Sequence, residues 1–132
     1  MKDSIFSKKI VAVFALLSAV FVSCASSNVE VPEDASKLEI VQMAQTALDG
    51  GKSKKALAYY NVLLQRYGMD TATYIEGTFE IAHIYVKKKK YDKAEPLLRE
   101  VLEIYNSSQP GQFPGAYQKL AQKDLEKIEE KN

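Results

Sequence analysis

The chain has 132 residues, with 18 Lys and Arg against 17 Asp and Glu, one His, one Cys and no Trp. That length supports one small domain, the even charge balance argues against a strongly electrostatic nucleic-acid binder, and a single Cys excludes an intrachain disulfide framework. One Cys and one His also fall short of the usual zinc ligand sets, so no metal or other cofactor is expected.

Lys2, Lys8 and Lys9 give a basic start, followed by uncharged residues from Ile10 to Val22 and by Ser23-Cys24-Ala25-Ser26-Ser27. Basic, then apolar, then small residues predict a secretory signal over 1–23. The apolar run falls short of the roughly twenty residues that span a bilayer, and no second such run follows. Phe21-Val22-Ser23-Cys24 resembles a bacterial lipobox, with Phe21 where Leu is usual. The resemblance implies that Cys24 carries diacylglycerol through a thioether and becomes the new N-terminus; ordinary cleavage within 23–27 is the alternative. With no Asp after Cys24, the same resemblance implies an envelope protein held at the outer rather than the inner membrane, facing the periplasm. Residues 24–35 are mostly polar and include Pro32, the composition of a flexible tether.

From Ser36 onward the pattern has helical period. Ser36-Lys37-Leu38-Glu39 fits a capping box, and Leu38, Val41, Ala44, Gln45 and Leu48 follow until Gly50-Gly51. A second helix starts near Ser53 and carries Ala56, Leu57, Tyr60, Leu63, Leu64 and Tyr67, ending at Gly68-Met69-Asp70. Thr73-Tyr74-Ile75-Glu76 offers another capping box, opening a third helix that runs to about Lys87. Tyr91 or Asp92 opens a fourth, with Ala94, Leu98, Val101, Leu102 and Tyr105 on one face. Asn106 to Gly115 is a Pro- and Gly-containing loop, and Ala116 to about Lys131 a fifth, polar helix. The expected fold class is all-α.

These helices match in pairs at an offset of 38 residues, the distance from Ala56 to Ala94. At that shift Met43 meets Ile81, Ala44 meets Ala82, Tyr60 meets Leu98, Leu63 meets Val101 and Leu64 meets Leu102. Ile81-Ala82, Tyr85, Tyr91, Ala94 and Leu98 resemble the consensus places of the tetratricopeptide (TPR) repeat. Leu120-Ala121 stands where a third first-helix would place its small residue. The resemblance covers 36–131 and implies two TPR-like helical hairpins plus a C-terminal capping helix, a short α-solenoid. The alanines are small because paired helices approach closely there. Pro96 is expected to cost little, since early helix amides lack intrahelical partners.

No nucleophile with an orienting base, phosphate loop or metal-binding helix motif is legible, so a non-enzymatic binding protein is expected. The run Lys87-Lys88-Lys89-Lys90 falls at a helix end, where cations complement the dipole; contact with anionic lipid is the functional alternative.

In TPR proteins the first helices of successive hairpins line a concave groove. By register, that implies partner contacts from Val41 and Gln45, from Glu76, Phe79, Glu80 and His83, and from Gln118, Lys119 and Gln122. Phe79 and His83 occupy places that hold Lys and Asn in the family's carboxylate clamp, so a chaperone-tail clamp is not implied. The expected role is a lipid-anchored adaptor or scaffold that binds an envelope protein or peptide. A small-molecule or transporter-accessory lipoprotein is the alternative, and self-association through the repeat ends is a further possibility.

Overall fold

The computed structural model describes residues 28–131; the predicted signal segment 1–23 and the lipidation residue Cys24 lie outside them. Five helices follow in chain order: α1 (Lys37–Asp49), α2 (Ser53–Tyr67), α3 (Thr71–Lys87), α4 (Tyr91–Ser107) and α5 (Ala116–Glu129). No strand occurs among the described residues. The fold is all-α. Each helix packs on the next, and α3 packs on α5 as well.

The repeat is visible in the backbone. In the first turn, Gly51 adopts φ 70°, and the Lys52 amide returns to Ala47 O at 2.7 Å. In the second, Lys89 adopts φ 57°, and the Lys90 amide returns to Tyr85 O at 2.9 Å. The two turns superpose residue for residue at the 38-residue shift. Glycine takes the left-handed conformation freely, whereas a side chain resists it. Lys89→Gly is therefore expected to stabilise the domain by up to about 1 kcal/mol, and Gly51→Ala to destabilise it by a similar amount. Thermal denaturation of both variants reads the two signs directly.

The small residues behave as anticipated: Ala44, Ala56, Ala82 and Ala94 are fully buried at the helix contacts. Tyr60, Leu63, Leu98 and Val101 fill the same two layers. One close approach has no warning in the repeat pattern. Gly77 is buried in α3, and a Cβ there would lie 2.7 Å from Leu64 Cδ2 on α2.

Four expectations are corrected. The buried face of α1 is Ile40, Ala44 and Ala47, while Leu38 is left 66% exposed, because none of the described helices covers that side. Helix α3 starts earlier than the Thr73 box implied: Asp70 is the cap, and its carboxylate accepts from the Thr73 amide at 3.3 Å and the Thr73 hydroxyl at 2.5 Å. Pro96 is the sixth residue of α4 rather than one of its first amides. It therefore removes a true intrahelical bond, which the exposed side of the helix can surrender to water.

The fourth correction concerns the tether. Residues 28–35, assigned to a flexible leash, are fastened along α2. Arg66 donates to the carbonyls of Pro32 at 2.5 Å and Val31 at 3.1 Å, and the Tyr67 hydroxyl donates to Ala35 O at 2.8 Å. Val29 and Val31 pack against the first-hairpin core, and Ala35 is buried in it. A two-pronged guanidinium on consecutive carbonyls, together with two valines on apolar surface, offsets the entropy a polar segment would otherwise keep.

Candidate functional site

The first helices of the hairpins, α1 and α3, do not pack backbone to backbone as α3 and α5 do. They are bridged instead by side chains. Tyr60, projecting from α2, is fully buried, and its hydroxyl accepts from Gln45 of α1 at 2.5 Å. Burial first, then the neighbouring Glu80 carboxylate of α3, raise this phenol far above its ordinary range, with Gln45 opposing and Glu76 adding to the rise. Tyr117 at the start of α5 is raised by the same means, burial first and then Glu76 and Glu80. Two protonated phenols therefore flank two carboxylates spaced one turn apart on α3.

Of that pair, Glu80 is the more constrained. Burial raises its carboxyl above the usual range; His83 and Lys87 oppose the rise, and Glu76 and Asp124 reinforce it. A folded pKa above the unfolded one means this group favours the fold below its unfolded pKa. The contribution is lost as pH rises through the folded value. Glu80→Gln removes that loss. The variant's melting temperature is expected to exceed wild type at pH 8 by on the order of 1–3 °C, allowing for screening of a half-exposed group, and to match it near pH 4.

The remaining groove expectations divide. Phe79 is not a groove residue: it is 3% exposed and sits beneath α5, with its ring centroid 5.4 Å from Tyr117. The His83 ring stacks on Phe79 at 5.5 Å and 21°, while Nδ1 lies 2.6 Å from Asp124 Oδ2 of α5. Phe79 and His83 thus fasten the last helix to α3, Phe79 covered and His83 engaged through Nδ1. Gln45, Glu76 and Glu80 come together around Tyr60, as their electrostatic coupling and the Gln45 bond require. Val41 on α1 and Gln118 on α5 are half-buried, and Lys119 and Gln122 are exposed on α5.

Three contributors were missed from the sequence: Tyr60, Tyr117 and Asp124. Only Tyr60 left a trace. Its partner at the 38-residue shift is Leu98, so the hydroxyl is an addition that packing does not require. Asp124 pairs across two helices and carries no local signature.

Among the described residues, no group of three or more His, Cys, Asp and Glu is placed to hold a metal ion, and no helix is long and apolar enough to cross a membrane. No protein-family model matches the chain, and no solved structure does. The chain is 34% identical over 118 residues to an uncharacterized protein of Treponema pallidum (strain Nichols), an alignment that takes in 87% of this chain and 47% of that relative. The chain therefore spans about half the length of the curated relative it matches.

Proposed function

We propose that this protein is a lipid-anchored adaptor of the bacterial envelope, built on TPR-like hairpins, and that the face formed by α1, α3 and α5 receives a segment of a partner protein. The observation that carries this reading is the set Gln45, Tyr60, Glu76, Glu80 and Tyr117. It draws on four helices and runs from the exposed Gln45 through the half-buried Glu76, Glu80 and Tyr117 to the fully buried Tyr60, with two carboxylates beside two phenols. Two adjacent carboxylates with phenol hydroxyls beside them offer acceptors and negative charge. The fitting partner segment supplies lysine, arginine or amide donors, because charge-assisted bonds in a partly desolvated site are the strong ones. The lipid on Cys24 would confine such an adaptor near membrane-bound partners and raise their effective concentration.

The test is in-cell crosslinking and capture, comparing wild type with a Glu76→Gln, Glu80→Gln double variant. These substitutions keep size and leave the Phe79–Tyr117 and His83–Asp124 contacts between α3 and α5 in place. Loss of a discrete captured envelope protein, with a circular-dichroism melt no lower than wild type, is the expected result. Equal capture by both forms places the binding surface elsewhere. The anchor has its own check: Cys24→Ala should abolish fatty-acid labelling, and labelling that persists sinks the lipobox reading.

A further inference from the structure

The two hairpin turns, 50–52 and 88–90, lie at one end of the helices, and exposed lysines gather there: the seven Lys52, Lys54, Lys55, Lys87, Lys88, Lys89 and Lys90, with Lys93 following in the first turn of α4 over the Tyr85 ring. Among the described residues none of the seven forms an ion pair. The acids at that end are Asp49, Asp92 and Glu95, and Glu95 is committed to Arg99 at 2.7 Å. The acidic tail of α5 stops short of it, since Glu129 reaches α4 only at Arg99, two turns in from Tyr91. The opposite end, by contrast, carries Glu33, Asp34 and Asp70 against Lys37 and Arg66, and the loop from Asn106 to Gly115 bears no charge. The domain is electrically polar along its helices.

Helix chemistry accounts for only half of the lysines. Lys87 and Lys88 close α3, where a cation suits the dipole. Lys52, Lys54 and Lys55 sit at the cap and first turn of α2, where it does not. That helix has no acid in its first turn and no side-chain cap. Lys90 caps α4 in the same unhelpful way. Three to four cations are thus held where they weaken the helices they begin, with no ion-pair partner among the described residues.

The path of the N-terminal segment supplies the second observation. Fastened to Arg66 and Tyr67 at the far end, it runs back along α2, so that Asn28 and Val29 line one hollow with Lys52, Lys54, Lys55 and Lys88. Cys24 is four residues further on, a reach of at most about 14 Å. The chain leaves the domain at the lysine end.

We propose that this lysine end docks on the anionic headgroups of the membrane that holds the anchor. The helices then stand on the bilayer with the α1–α3–α5 face turned sideways and the 106–115 loop pointing away. This inference rests on the lipid-anchor reading for the placement of the bilayer, and on the lysine end for the contact. A surface lysine loses its reactivity to a water-soluble acylating reagent when it lies against headgroups, which gives a residue-by-residue test.

The full chain, extracted from membranes of expressing cells, is reconstituted in vesicles of phosphatidylcholine alone or with about 30% phosphatidylglycerol. Lysine acetylation rates are then read by mass spectrometry. Phosphatidylglycerol should slow the seven lysines at least fivefold, leave Lys119, Lys123 and Lys127 within twofold, and lose its effect in about 0.5 M salt. Equal rates in the two vesicles, or slowing spread evenly over all lysines, overturns the proposal. So does slowing that appears only on adding soluble envelope proteins, which would assign this end to an acidic protein instead. Retention on the neutral vesicles reports the anchor by itself, so failure of the anchor and failure of the lysine contact are read separately.

Discussion

Phe79→Ala is expected to destabilise the domain by about 3–4 kcal/mol and to lower its melting temperature by roughly 15–25 °C. The ring is 3% exposed and belongs to the core shared by α3, α4 and α5, with His83 stacked on one side and Tyr117 tilted against it. Removing it deletes the centre of the α3–α5 contact and loosens the stacking that orients His83 toward Asp124. Phe79→Leu keeps most of the volume and should cost about 1 kcal/mol. A solvent-facing groove ring would behave otherwise: its truncation would change stability by under about 0.5 kcal/mol. Chemical denaturation of the three forms separates the two situations. The same numbers explain why Phe79 is a poor probe of partner binding. A domain of this size has about 5–15 kcal/mol in hand, and a variant that loses a large part of it fails to bind for reasons unrelated to the groove.

The second large effect is expected at Gly77. Leucine there would drive its Cβ to within 2.7 Å of Leu64 Cδ2 and 3.1 Å of Leu64 Cγ, with Leu63 Cδ2 behind at 3.6 Å. Since Leu63 is fully buried, only Leu64 can yield, and α2 must move away from α3. Gly77→Leu should cost about 2–3 kcal/mol. Gly77→Ala should come out near neutral, because a helix gain of up to about 1 kcal/mol offsets the displacement of the half-exposed Leu64 side chain. A leucine variant with unchanged stability would mean that the two hairpins are not in the close contact described.

Gly77 also explains why the two repeats resemble each other unevenly. Its counterpart in the first hairpin is Glu39, and the counterparts of Ile81 and Ile84 are Met43 and Thr46. In the second hairpin these positions meet α2 and are buried. In the first they meet no other hairpin among the described residues, and Glu39, Gln42 and Thr46 line the open edge. A terminal repeat trades packing residues for polar ones, so its match to the second unit weakens on that face while Ala44, Ala56 and Leu63, which pack within the hairpin, keep theirs.

The elements themselves were legible because each rests on local chemistry. The Ser36 box forms as written, with the Ser36 amide donating to Glu39 at 2.7 Å, and Gly50-Gly51 ends α1 through a left-handed residue. What escaped was long-range. Whether Phe79 faces water depends on where α5 lands after the 106–115 loop, and no spacing within α3 encodes that. The fastening of 28–35 depends on Arg66 meeting backbone carbonyls, which have no sequence signature at all. At the candidate site, Gln45, Glu76 and Glu80 were readable from helix register, whereas Tyr117 and Asp124 needed the α3–α5 docking.

The central claim is that the first-helix face is where a partner binds, and site-specific photocrosslinking in cells tests it most directly. A photoreactive residue placed at Gln45 or Gln122 lies on that face by register, and one at Gln65 or Glu103 lies exposed on the second helices α2 and α4. The account predicts a discrete adduct from the first pair and none from the second. Adducts from Gln65 or Glu103 with silence at Gln45 and Gln122 would contradict it.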